Sequence, residues 1–66
     1  MHLIVNGSSF EVPDGATIAH LIDLMQLAGK RLAVELNGQI VPRSAHPQTV
    51  LRADDRVEIV QAIGGG

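Results

Sequence analysis

Two Asn-Gly dipeptides, Asn6-Gly7 and Asn37-Gly38, each stand between short runs of alternating residues. Asn-Gly readily supplies the two consecutive positive-φ positions of a two-residue hairpin turn. Before the first turn, Met1 to Asn6 places Leu3 and Val5 on one face. After it, Ser9-Phe10-Glu11-Val12 alternates with Phe10 and Val12 inward, and Pro13-Asp14-Gly15 stops the strand. Around the second turn, Ala33 to Leu36 puts Val34 and Leu36 inward, Gln39-Ile40-Val41 returns, and Pro42 ends the run. The chain is therefore committed to two antiparallel hairpins, one at its start and one near its middle.

Between the hairpins the period changes. Ile18, Leu21, Ile22 and Met25 recur at the spacing of one helix face, with Leu24 and Leu27 widening the stripe. Ala19, His20, Asp23 and Gln26 cover the other side. Thr17 is suited to cap the first turn, and Gly29 to end the helix in a left-handed conformation. Beyond the second hairpin, Arg43 to Gln48 has no clear period and reads as irregular, and Asp54-Asp55 reads as a turn. The last strand spans Arg56 to Ile63, with Val57 and Ile59 inward. A final strand reached after such an excursion often pairs in parallel with the first. The order is strand, strand, helix, then two or three strands, which predicts an α+β fold: a β-grasp, mixed sheet crossed by one helix. Residues 1–63 form the expected domain and 64–66 a flexible glycine tail.

With 66 residues and no cysteine, this domain has neither disulfides nor cysteine-bound zinc to support it. It is also too short for an enclosed catalytic cleft, so an enzyme acting alone is not expected. Five Lys and Arg against seven Asp and Glu argue against nucleic-acid binding. No apolar run approaches a membrane span and no signal-peptide pattern is present, so the expected location is cytoplasmic. His2, His20 and His46 lack metal-ligand spacing and are expected at the surface. Ser8, Ser9 and Ser44 have no evident activating partner.

Gly64-Gly65-Gly66 is the chemically distinctive segment. Three terminal glycines fit a frayed end or a linker, and equally a reactive arm about 10 Å long at roughly 3.3–3.6 Å per residue. A chain without side chains can thread a narrow channel in any backbone conformation. Its reactive group would be the Gly66 carboxylate, whose negative charge repels nucleophiles until another protein activates it. By alternation, Glu58, Val60 and Ile4 face away from the helix and are candidate docking residues for that partner, with Ile63 at the base of the arm.

Three stretches resemble the sulfur carrier proteins of thiamine biosynthesis, the ThiS family: Ala33-Val34-Glu35-Leu36-Asn37-Gly38-Gln39-Ile40-Val41-Pro42-Arg43, Asp55-Arg56-Val57-Glu58-Ile59-Val60, and the terminal glycines. The resemblance covers nearly the whole chain in length and order of elements. Two positions depart from the family pattern: Asp54 stands where glycine is usual before aspartate, and His46 stands where some relatives have tryptophan. The resemblance implies a ubiquitin-like fold and a carrier role without catalytic groups or a bound cofactor. An E1-like adenylyltransferase would use ATP and magnesium to adenylate Gly66. Sulfur from a donor such as a cysteine desulfurase would convert it to a thiocarboxylate, which thiazole synthase would accept, with Gly64 and Gly65 as the threading arm. Two other readings stay open on the sequence: a molybdopterin-synthase-type sulfur carrier, and a ubiquitin-like modifier or interaction module.

Overall fold

The computed structural model of the chain describes residues 1–61. Strands β1 (His2–Val5) and β2 (Ser8–Glu11) pair antiparallel across the Asn6-Gly7 turn. Helix α1 (Ile18–Leu24) follows, then β3 (Leu32–Leu36), β4 (Gln39–Ile40), a 3-10 helix (Arg43–Gln48) and β5 (Arg56–Gln61). The sheet order is β2-β1-β5-β3-β4. The last strand thus enters between the two hairpins, parallel to β1 and antiparallel to β3. This is the mixed β-grasp sheet with one crossing helix that the element order predicts.

Alternation decides what each strand buries. Leu3 and Val5 of β1, Val34 of β3, and Val57 and Ile59 of β5 form one apolar face against Ile18, Leu21 and Ile22 of α1. Phe10 and Leu36 pack at the margin of the same core, and Val12 lies within it. Both hairpin turns adopt the left-handed geometry expected of Asn-Gly, with φ of 49° and 82° at Asn6 and Gly7, and 51° and 86° at Asn37 and Gly38. Thr17 caps the helix, its Oγ1 accepting from the His20 amide at 3.2 Å. Ile18 N–H donates to the Thr49 carbonyl and Leu51 N–H to the Ala16 carbonyl, which carries Leu51 into the core under the start of the helix.

The helix ends earlier than its apolar stripe suggests. Gln26, not Gly29, takes the left-handed position, with φ 60°. Its amide donates to Asp23 O at 2.9 Å, and the Leu27 amide to Ile22 O at 3.0 Å. This pair of bonds closes a Schellman motif and satisfies carbonyls that the end of a helix would otherwise leave unpaired. Leu27 therefore reaches the core from beyond the helix, while Leu24 is 45% exposed and does not widen the buried stripe. Gly29 is left-handed too, at φ 81°, but in the connection to β3.

The stretch from Arg43 to Gln48 is a 3-10 helix rather than irregular chain. Its turn directs His46 inward, so this residue is 7% exposed, contrary to the expectation of a surface histidine. His46 Nε2 lies 3.1 Å from the Val41 carbonyl. A carbonyl can only accept, so this nitrogen is assigned the proton, and the polar group that burial would strand is satisfied. At the other variant position, Asp54 adopts φ 69°, and Asp55 stabilises the turn by accepting from the Arg52 amide at 2.8 Å. Aspartate thus performs the left-handed role that glycine usually takes. No helix among the described residues is long and apolar enough to cross a membrane.

Candidate functional site

Every candidate site residue except Ile4 belongs to β5 or to the chain that continues from it. β5 is the middle strand of five, and two side chains outside the ladder hold it in place. Asn6 lies just past the end of β1, where β5 runs on without a neighbour on that side. Its Oδ1 accepts from the Ile59 amide at 2.8 Å and its Nδ2 donates to the Ile59 carbonyl at 3.2 Å. The side-chain amide thereby takes the place of one more strand residue. The second turn does the same nearer the start of β5. Asn37 Oδ1 accepts from the Arg56 amide at 2.9 Å, and Asn37 Nδ2 donates to Asp55 Oδ1 at 3.0 Å. Each Asn-Gly pair therefore turns a hairpin and also clamps the strand that leads to the glycines.

The face of the sheet turned from α1 is built by the residues between the buried ones. Cross-strand pairing places Ala33 opposite Val60, Glu35 opposite Glu58, and Ile40 opposite Glu35. Glu58 and Val60 are exposed, Val60 at 64%. Ile4 shares this face but is half-buried and pairs with Arg56. It stands four residues, about 13 Å, from Val60 along the strand direction at roughly 3.3 Å per residue. Val60 is thus the aliphatic residue beside the exit of the strand, and Ile4 belongs to the opposite half of the face. Ile63, Gly64, Gly65 and Gly66 lie outside the described residues.

Sequence reasoning did not single out Ile40, which is 67% exposed on this same face. The signal was available. A two-residue turn at Asn37-Gly38 puts Glu35 opposite Ile40, so an outward glutamate implies an outward isoleucine. Glu35 and Glu58 form a directly opposed like-charge pair, with Arg56 lining the same shallow depression. Among the described residues no group of three or more His, Cys, Asp or Glu could hold a metal ion. The arrangement is a mixed aliphatic and charged surface, suited to docking, in front of a rigid central strand.

Comparison with known proteins agrees with this geometry. The sequence matches the ThiS family over residues 3–66. It is 35% identical over its whole length to a thiazole synthase of Paramagnetospirillum magneticum, and spans 20% of that protein. A thiazole synthase of Magnetococcus marinus is similar to the same degree, and there too the chain spans a fifth of the relative's length (20%). The sulfur carrier protein ThiS of Escherichia coli is 27% identical, with both chains covered in full. Among solved structures, the thiamine biosynthesis protein ThiS of Geobacter metallireducens superposes over the full length of both chains, with a TM-score of 0.84 and 32% identity. The buried faces, the sheet order and the family match through Gly66 describe one kind of molecule, and the chain belongs to the ThiS family.

Proposed function

We propose that this protein is a sulfur carrier of thiamine biosynthesis, a protein cosubstrate whose working group is the Gly66 carboxylate. In this reading an E1-like adenylyltransferase binds the carrier and ATP with magnesium. A carboxylate oxygen of Gly66 attacks the α-phosphate and pyrophosphate leaves. Sulfur supplied by a donor such as a cysteine desulfurase then attacks the carbonyl carbon. AMP departs with one of the original carboxylate oxygens; a persulfide donor leaves an acyl disulfide, which a thiol then cleaves, itself ending in a disulfide, and Gly66 is left as a thiocarboxylate. Thiazole synthase takes the sulfur from there. The observation that carries this reading is the family match extending to the last glycine.

Further support comes from the position of β5. Residues 64–66, the proposed arm, follow the strand that is best held in the sheet, so a partner gripping the folded body would also fix the origin of the arm. Glu58 and Val60, with Ile4 further along the same face, are the proposed docking residues, and Ile63 the base of the arm. The chain has no cysteine, so any sulfur it carries is attached by others.

Intact-mass measurement after incubation with the adenylyltransferase, ATP, magnesium and a sulfur donor tests the proposal. The expected mass gain is the difference between one sulfur and one oxygen. Deleting Gly66 is expected to abolish it while leaving the folded domain unchanged by circular dichroism. Normal conversion of the shortened chain would refute Gly66 as the carrier of sulfur.

A further inference from the structure

Charge is distributed unevenly along the strand axis. Leu32 pairs with Gln61, so β3 begins at the end of the sheet where β5 hands over to the C-terminal residues. Lys30 and Arg31 immediately precede β3 and belong to that end. Arg43, at the start of the 3-10 helix, joins them: Lys30 and Arg43 line one cavity of ≈ 240 Å³ with Ile22, Leu27 and His46. Arg31 lines a depression shared with Ala33 and Val60, which makes the basic end continuous with the outward face. All three cations are exposed, and none is within 4.0 Å of a carboxylate oxygen among the described residues. One carboxylate, Asp23, lines the same cavity.

The opposite end holds four carboxylates, Glu11, Asp14, Asp54 and Asp55, against Arg52, Arg56 and the Met1 ammonium. β1 runs parallel to β5, so the start of β1 lies at the start of β5. Glu11 pairs with His2, and Asp54 Oδ1 lies 3.3 Å from His2 Nδ1. Asp55 follows in the same turn, and Asp14 lies 3.5 Å from the Met1 nitrogen. A chain of formal net charge −2 therefore shows an excess of positive charge at the end from which the glycines depart.

We propose that Lys30, Arg31 and Arg43 form a basic rim that docks on an acidic protein surface around the entrance to the adenylating site and steers the glycine tail into it. This inference rests on the carrier reading. Gly66 lies five residues beyond Gln61 and can be at most about 18 Å from it, at roughly 3.3–3.6 Å per residue. Any protein that takes in the tail must therefore approach this end closely. Three cations are too few for the many phosphate contacts of nucleic-acid binding, and the carboxylates at the far end would repel a polyanion. Charges at the margin of an interface act mainly on association rate and on salt dependence.

The test uses the full chain, tail intact, with the E1-like adenylyltransferase encoded by the same genome. ATP–pyrophosphate exchange is measured against carrier concentration for wild type and for the triple variant Lys30→Glu, Arg31→Glu, Arg43→Glu. At about 20 mM salt the variant is expected to raise KM roughly tenfold or more with kcat unchanged, because steering contributes about 10–10³ to association rates. At about 0.5 M salt, where screening extends over only a few ångströms, the two KM values should converge within about twofold. The neutral set Lys30→Gln, Arg31→Gln, Arg43→Gln should fall between, and Arg52→Glu, at the opposite end, should behave as wild type. An unchanged KM at low salt, or a rise that persists at high salt, overturns the basic rim while leaving the carrier reading intact. Absence of exchange with the wild-type chain overturns the carrier reading and the rim together.

Discussion

Replacing Asn6 isolates the contribution of a single side chain to the position of the strand that bears the tail. Asn6→Gly tolerates the φ of 49° at no steric cost and deletes both hydrogen bonds to Ile59. At about 0.5–1.5 kcal/mol net per bond, and with water able to reach these partly exposed groups, the loss is about 1–2 kcal/mol. A core of this size supplies only about 3–5 kcal/mol, so the variant gives up roughly a fifth to two-thirds of the total. At about 4–8 °C per kcal/mol, its melting temperature should fall by roughly 4–16 °C. Part of that fall could come from the greater freedom of glycine in the unfolded chain. Asn6→Asp removes this ambiguity because it keeps the shape and the left-handed tolerance. Its carboxylate would still accept from the Ile59 amide, but its second oxygen would face the Ile59 carbonyl without a proton. The neutral acid can make both bonds, so the folded pKa would be raised above the unfolded value of about 3.9. A raised pKa means that the contribution is present below the unfolded pKa and lost as pH rises through the folded one. Relative to wild type, Asn6→Asp should thus be least impaired below about pH 4 and more impaired at neutral pH. Amide exchange gives the most direct reading, since the Ile59 N–H is itself the donor to Asn6. Its exchange should accelerate in Asn6→Gly more than that of Val34 in the neighbouring strand, and less in Asn6→Asp, whose carboxylate still accepts from it. Melting within 2 °C of wild type at about pH 7, with unaltered Ile59 exchange, would show that the clamp contributes nothing.

Leu51→Ala removes a side chain that is 2% exposed beneath the helix start, and at about 2–5 kcal/mol it should leave the domain largely unfolded by near-ultraviolet and far-ultraviolet dichroism. Gln26→Gly should stabilise by about 1 kcal/mol in urea titration, because glycine occupies the left-handed position after the helix without the Cβ penalty. Glu35→Lys should raise the melting temperature by relieving the repulsion with Glu58, a gain of about 0.2–1 kcal/mol that shrinks in high salt.

Features that depend on neighbours in sequence were legible before any coordinates. The two hairpins, the Thr17 cap and the inward set Leu3, Val5, Val34, Val57 and Ile59 all follow from dipeptide chemistry and from periods of two or 3.6. The features that were not legible depend on competition or on distance. Gln26 and Gly29 both lie near the end of one apolar stripe, and glycine has the stronger preference for the left-handed position. The Schellman bonds nevertheless close at Gln26, where Leu27 can fold back onto the core. His46 sits in a segment without period, and only the tertiary position of the Val41 carbonyl makes its burial tolerable. The roles of Asn6 and Asn37 beyond their turns needed the course of β5, more than fifty residues from Asn6. For the candidate site, alternation placed Glu58 and Val60 outward. It could not show that Ile4 lies beside Arg56, because the offset between parallel strands is set by the crossover rather than by a turn.

The insertion of β5 between the hairpins has a consequence for how the molecule is made. Each hairpin can form from local sequence, but neither pairs with the other; what joins them is β5, which follows both in the sequence. Pairing β1 with β5 closes a loop of about fifty residues, the slow kind of contact in folding. A chain cut short before Arg56 would lose the middle of its sheet rather than a dispensable edge. The event that completes the sheet is therefore also the one that fixes Gln61, from which the chain runs on to the glycines.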